Sequence, residues 1–260
     1  MKQQPLTVQA VHDWLDGIAP FDTQEEFDNS GLQVGLLSQQ VTGILLCLDV
    51  TEEVVQEAAQ LGANLIIAHH PLLFVPQRDL NLARHTPQVL AALLRRDIAL
   101  LAAHTNLDKS AQYSASLAVC HLLGLRDIRR AGDYLFLGEL ERPLEGEGLR
   151  LLISQALAVP ARLYGGSGQR VSTLAVAGGA YSEGFQEAIG AGAQALLTGE
   201  VRHHHAVEAA QTGMLLVDGG HFATEQPMLE PLALGLQSMA NGLQCSVRVH
   251  VSRVQPYRLQ

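Results

Sequence analysis

The chain is short of cysteine, of positive charge and of aromatic residues, and each shortage removes a class of protein. Its three cysteines, Cys47, Cys120 and Cys245, are odd in number and far apart, which argues against both a disulfide framework and a thiolate zinc site. Cys47 sits in a hydrophobic strand pattern and reads as a small core residue. Lys and Arg number 17 against 26 Asp and Glu, a formal charge of -9. A broad phosphate-binding face is therefore disfavoured, because non-specific nucleic-acid affinity comes mainly from clustered cations. The one notable basic cluster, Arg126, Arg129 and Arg130, reads as a solvated helix end or loop. No apolar run approaches the roughly 20 residues needed to span a bilayer, and Met1-Lys2-Gln3-Gln4-Pro5 lacks the basic-then-apolar layout of a secretory signal. The expectation is a cytoplasmic protein with no membrane partner. What is present, 47% apolar residues along 260 positions, suits two small globular domains better than one.

One unit is written twice. Val41 to Ile67 aligns without a gap onto Val171 to Leu197, 130 residues on, with Glu53/Glu183, Glu57/Glu187, Ala58/Ala188, Gly62/Gly192 and Ala63/Ala193 identical. Each copy reads as strand, turn, short helix, Gly-Ala punctuation and a second buried strand. That is a βαβ unit, so an α/β fold with partly parallel sheets covered by helices is expected. The echo extends outward. Apolar helices ending at Ile18-Ala19-Pro20 and Ala158-Val159-Pro160 precede the two units, and strands Ile98 to Ala103 and Met214 to Val217 follow them. Glu139 to Gly148, charged and carrying Pro143, reads as a surface connection. Gly165-Gly166-Ser167-Gly168 reads as a turn without the Lys-Ser/Thr ending of a phosphate-binding loop.

The copies diverge where chemistry would sit: Ala68-His69-His70 in the first faces Thr198-Gly199-Glu200 in the second. Neighbouring side chains leaving a strand point to opposite sides, so His69 and His70 are expected to serve different ions, which suggests a two-metal site. His104-Thr105-Asn106-Leu107-Asp108 and His221-Phe222-Ala223-Thr224-Glu225 both read His-x-x-x-acid, the spacing that sets two ligands on one helical face. Asp218-Gly219-Gly220 supplies the tight turn into the second of these. Three histidines, one aspartate and one glutamate give two ions about two protein ligands each plus a shared carboxylate, with positions left open for water. Imidazole and carboxylate without thiolate fit zinc, manganese, iron, nickel or cobalt alike. Glu200 reads either as an acid/base or as a hydrogen-bond partner of a ligating imidazole; His104 and His204 are the other proton-moving candidates. The run His203-His204-His205 begins near a helix start, where side chains fan out, so only His204 is expected to approach the site.

Taken together, Asp28-Asn29-Ser30-Gly31-Leu32-Gln33-Val34-Gly35, Leu48-Asp49-Val50-Thr51, His69-His70-Pro71, His104 to Asp108, Thr198-Gly199-Glu200 and Gly220 to Glu225 resemble the GTP cyclohydrolase I type 2 homologue family, also called Nif-three-like, from about Asp28 to the C-terminus. The resemblance implies two similar, intertwined three-layer α/β/α domains, expected at 1–126 with about 234–260 and at 127–233. It also implies two divalent ions per chain in the cleft between them, and a toroidal homohexamer. On that pattern His69 and Asp108 would hold one metal, His70 and His221 the other, and Glu225 would bridge. One departure is Ala177-Gly178-Gly179-Ala180-Tyr181, where many members show a Cys-Gly-Gly-Ser-Gly-like sequence. The activity expected is metal-dependent hydrolysis of a small nucleotide-like, phosphorylated or cyclic amide substrate. A metal-binding, ring-forming interaction protein is the alternative, and nucleic-acid binding through the ring stays open.

Overall fold

The computed structural model describes residues 5–166 and 168–257. Part of the signal-peptide reading, at 1–4, and Ser167 of the glycine tract lie outside the described residues, as do residues 258–260. The chain runs first through α1 (Val8–Ile18), β1 (Gly31–Val34), β2 (Gly43–Cys47), α2 (Glu52–Gln60), β3 (Leu65–Ala68), α3 (His85–Arg95), β4 (Ala99–Ala102) and α4 (Thr105–Asp108). It continues through α5 (Ala115–Leu122), β5 (Arg126–Arg130), β6 (Phe136–Glu145), α6 (Gly146–Leu157), β7 (Arg162–Tyr164) and β8 (Arg170–Val176). Then come α7 (Phe185–Gly190), β9 (Ala195–Thr198), α8 (His203–Thr212), β10 (Leu215–Asp218), α9 (His221–Glu225), α10 (Leu229–Gly242) and β11 (Arg248–Val251). Among the described residues no helix is long and apolar enough to cross a membrane.

Two compact units result, one running to Ser110 and resuming at Leu229, the other Ala111–Met228. The first break falls ahead of residue 126 because α5 belongs to the second core, where Val119 and Cys120 are buried with Phe136, Leu149 and Leu174. The return begins at Leu229, ahead of 234, since α10 packs as a whole on β2 and β11.

In the first unit the sheet order is β1-β4-β3-β2-β11, parallel except for β1, which runs against β4. The central strands read as unbroken apolar runs because both of their faces are covered. Leu45, Cys47, Ile66 and Leu100 pack with Val54, Val55 and Ala58 of α2 and Val89 and Leu93 of α3. Ile44, Leu46, Leu65 and Leu101, which alternate with them, are also fully buried. The second unit has order β5-β6-β8-β9-β10-β7, with β8, β9 and β10 parallel and the flanking pairs antiparallel. Its three layers are explicit. Val176, Leu197 and Val217 face α5 and α6, while Ala175, Leu196 and Leu216 face α7 and α8.

The repeat is visible in atomic detail. Strands β3 and β9 coincide at the shift of 130 residues, and the Gly-Ala punctuation after each helix is the same C-terminal cap. Gly62 (φ 69°) and Gly192 (φ 91°) both take the left-handed conformation. Ala63 N donates to Ala58 O at 2.9 Å, as Ala193 N does to Ala188 O at 3.0 Å, the paired bonds of a Schellman motif. Two readings are corrected. Arg126, Arg129 and Arg130 lie on the edge strand β5, where Arg126 meets Glu141 at 2.6 Å and Arg129 meets Glu139 at 3.9 Å; such exposed pairs are worth about 0–1 kcal/mol each. Glu139 to Gly148 is no loose connection, since β6 continues to Glu145 and α6 starts at Gly146. A register shift against β8 between Glu139 and Leu144 accommodates Pro143, which has no N–H for the ladder.

Burial pushes the Cys47 thiol up, helped by the charges of Asp49 and Glu57, and pushes that of Cys120 up to about 12. Only Cys245 is partly exposed. A thiol reagent at pH 8 is therefore expected to modify one cysteine in the native chain and all three in denaturant; rapid native modification of two or more would contradict the packing.

Candidate metal centre

The parallel pairing of β2, β3 and β4 builds a cluster in the first unit. Register matches Cys47 to Ala68 and Ala68 to Ala102, and the ladder runs on past the strand ends: His69 N donates to Cys47 O, His70 N to Leu48 O and Ala103 N to Ala68 O. Asp49, His69, His70 and His104 therefore collect at one end of the sheet, the carboxyl ends of parallel strands where α/β folds place their ligands. His69 is buried, and its Nδ1 lies 2.9 Å from the Ala103 carbonyl. His70 Nδ1 lies 2.9 Å from Asp49 Oδ1. His104 Nδ1 lies 2.8 Å from Asp28 Oδ1. In each pair the oxygen accepts from Nδ1–H, which fixes the tautomer and turns the Nε2 lone pair outward.

The His69 and His70 rings do not splay. Their centroids lie 4.9 Å apart, because regular strand geometry ends at Ala68 and the two histidines occupy a bend, where period-two alternation no longer applies. One ligand atom each from His69, His70 and His104 falls within 4.8 Å of the others. Asp108, at the end of α4, presents Oδ2 at 3.7 Å from His69 Nε2.

Asp28 anchors this cluster. Its side chain is fully buried, and besides His104 it accepts from the amide of Thr105 at 3.0 Å and from the Thr105 hydroxyl. Burial pushes the carboxyl up, but the bonds from His104 and Thr105 and the imidazole charge outweigh it and hold Asp28 well below the usual carboxylate range.

In the second unit a separate cluster is built by the turn out of β10. Gly220 takes φ 80°, its amide donates to Asp218 Oδ1 at 3.0 Å, and α9 begins at once. His221 Nδ1 lies 2.7 Å from Glu200 Oε1, and His221 Nε2 lies 3.1 Å from Glu225 Oε1. Glu225 is 4% exposed, whereas the Glu200 side chain is 59% exposed. Glu200 stands behind the His221 imidazole as Asp49 stands behind His70, and its exposed side chain also faces solvent.

The repeat explains the room for this helix. Asp49 and His69 of the first copy correspond to Gly179 and Gly199 of the second. A Cβ at Gly179 would sit 2.4 Å from Glu225 Oε1, and one at Gly199 would sit 2.6 Å from Thr224 Oγ1 and 2.7 Å from His221 Cα. The glycines of the divergent 177–181 loop and of Thr198-Gly199-Glu200 thus make space for α9, and Gly179 N donates to Thr224 Oγ1 at 3.1 Å.

The histidine run on α8 departs from expectation. His204 is exposed, its ring tilted against that of His205 with centroids 4.1 Å apart; the inward-turned member is His205, whose Nδ1 lies 2.8 Å from the buried Ser182 Oγ. Among the described residues no group of three potential ligands includes His204. Spacing arguments passed over Asp28 and Asp49, since each meets its histidine only through strand pairing or a loop far away in sequence. The donor set fits a divalent cation of the transition series: neutral imidazoles with Nδ1 engaged, accompanied by carboxylates and free of thiolate.

The Duf34/NIF3 (NGG1p interacting factor 3) family model matches residues 6–257. A GTP cyclohydrolase 1 type 2 homolog of Streptomyces coelicolor is 34% identical over 257 residues, covering 92% of this chain and 88% of its own. One from Clostridium perfringens is 32% identical over 224 residues, covering 83% and 85%. Among solved structures, a hypothetical protein of Staphylococcus aureus has a TM-score of 0.92 at 28% identity, covering 99% of this chain and 100% of that one.

Proposed function

The chain belongs to the Duf34/NIF3 family, and on that premise we propose a dinuclear metal-dependent hydrolase of the cytoplasm. Its substrate would be small and nucleotide-like, phosphorylated or a cyclic amide. In this reading His69 and Asp108 would hold one ion, His70 and His221 the other, and Glu225 would be shared. The observation that carries it is the anchoring of each ligating imidazole by an oxygen on Nδ1: Ala103 O for His69, Asp49 for His70 and Glu200 for His221. Imidazoles with merely structural roles have no need of a common tautomer.

Divalent ions held by these residues supply Lewis acidity and a water of lowered pKa. The side chains do the rest. Asp49 and Ala103 hold the His70 and His69 rings in place, so that little reorganisation accompanies reaction. Glu200, bonded to His221 on one side and largely exposed, is the group that exchanges protons with solvent. Glu200→Gln should keep both ions and lower turnover by about 10²–10⁴-fold. The assay substrate would come from a screen of cyclic nucleotides, pterin precursors and phosphoesters.

Elemental analysis tests the reading, with about two ions per chain expected. A stoichiometry fixed at one under metal excess, with His69→Ala and His70→Ala losing the same ion, would exclude the two-ion assignment. The family description names an interacting factor, which favours one second reading: a metal-dependent ring, homohexameric by resemblance, that captures a partner without turnover. A screen empty of metal-dependent turnover, joined to partner capture by the loaded form alone, would select it.

A further inference from the structure

Two of the chain's six phenylalanines stand in solvent, Phe27 at 65% and Phe74 at 45% exposure. Apolar side chains left singly on a surface are ordinary, but these two meet each other beside the candidate metal centre. We propose that Phe27 and Phe74 form a substrate-binding wall of that centre, and that what they hold is the face of a flat heteroaromatic ring. The proposal rests on the hydrolase reading for its place next to the ions, and it narrows the substrate to one of the classes named there.

A run of ring contacts leads from solvent to the centre. The Phe27 and Phe74 centroids lie 6.2 Å apart at an interplanar angle of 62°. Phe74 and His104 follow at 6.1 Å and 79°, and His104 stands 5.1 Å from His69. All four residues belong to the first unit. Rings that meet so steeply form corners, and a planar guest enters a corner with its face on one ring and its edge towards the next. A guest seated on Phe74 is one ring away from His104.

Both phenylalanines are carried by tied backbone. Asp28, next to Phe27, accepts from His104 and from the Thr105 amide. Leu73, next to Phe74, accepts from Asn29 Nδ2 at 2.7 Å and donates its amide to Gln33 Oε1 at 3.0 Å. Gln33 Nε2 in turn donates to the Asn29 carbonyl at 2.7 Å, which closes the tie between the two loops. Aromatic side chains on a fixed backbone lose little freedom when they bind. A phosphate is a poorer occupant, because Lys109, the cation beside Asp108, is engaged by Glu25 at 2.7 Å and by the Thr23 carbonyl at 2.9 Å. A non-aromatic cyclic amide has no π-face to stack.

The test measures binding to the zinc-loaded full chain by calorimetry and saturation-transfer NMR. Guanosine and pterin are the flat-ring probes, ribose 5-phosphate the phosphate probe and dihydrouracil the non-aromatic cyclic amide. Guanosine or pterin should bind, with transfer strongest at ring protons, and Phe27→Ala and Phe74→Ala should each weaken it by about 5–100-fold without loss of zinc. Phe74→Tyr should keep the affinity and Phe74→Leu should not. Failure of both flat-ring probes to bind overturns the proposal, as does binding indifferent to both alanine changes. Tighter binding of ribose 5-phosphate or dihydrouracil than of either flat-ring probe does the same. If light scattering shows the alanine variants losing an assembly of the parent while guanosine affinity is unchanged, the two rings are a contact between copies of the chain and the proposal fails. Should Phe74→Ala lose zinc, Phe27→Ala decides, since Phe27 stands one ring further out. Flat-ring binding without metal-dependent turnover of any compound would sink the hydrolase reading alone; turnover of another substrate without flat-ring binding would sink this proposal alone.

Discussion

Gly199→Ala should displace His221 and Glu225 and lower zinc content while the chain still folds, and it should melt earlier than the parent. A methyl group there would meet His221 Cα at 2.7 Å and Gly179 O at 2.8 Å. Both are main-chain atoms, so no side-chain rotation relieves the contact. Gly199 N also donates to Gly179 O at 2.6 Å, which ties the two strand-end loops together just where space is needed. Overpacking of this kind costs about 1–3 kcal/mol, and the cheapest relief is to push α9 outward, carrying His221 and Glu225 off their positions. Gly179→Ala adds a left-handed φ of 66° to a contact of 2.4 Å with Glu225 Oε1. The control is Gly17→Ala on α1, where nothing lies within 4 Å; it should raise stability by about 0.5–1 kcal/mol, the ordinary helix gain of alanine over glycine. Calorimetry and zinc content measured on all three variants check the argument. A Gly199→Ala protein with parental melting and a full zinc complement would show that Gly179 and Gly199 do not make room for the helix.

That pair of glycines also shows how far the sequence could be read. The gapless match of the two βαβ units foretold two mixed α/β sheets, and the shared Gly-Ala caps are local chemistry, decided within six residues. The two His-x-x-x-acid elements were legible for the same reason, since i,i+4 spacing is a property of one helical turn. The His69 and His70 rings lie closer together than alternation suggests, because alternation holds only while the strand lasts, and here it ends one residue earlier, at Ala68. Asp49 and Asp28 escaped notice as imidazole partners, because their positions follow from pairing across β2 and β3 and from a loop in front of β1. His204 was preferred to His205 because fanning on a helix says how many side chains turn inward but not which. The phase of α8 is set by Ala209, packed into the second core, a constraint that belongs to the whole unit.

Glu225→Gln is the substitution expected to cost the most chemistry for the least change in shape. Glu225 is buried, with Oε1 3.1 Å from His221 Nε2. In the metal-free protein the amide should be harmless or mildly stabilising, since it removes a buried charge whose desolvation is expensive. On the proposed two-ion reading the balance reverses with metal. The amide offers one neutral oxygen where a bridge requires two anionic ones, so the second ion should be lost. Turnover should then fall by at least about 10²-fold, the scale of losing one electrostatic contact to the reacting group. Thermal melting separates the two effects. Zinc at 100 times its dissociation constant should stabilise the parent by about 2.7 kcal/mol and the variant by far less, although the metal-free proteins melt alike. Equal zinc stabilisation of parent and variant, with full metal content and undiminished turnover, would remove Glu225 from the proposed bridging position.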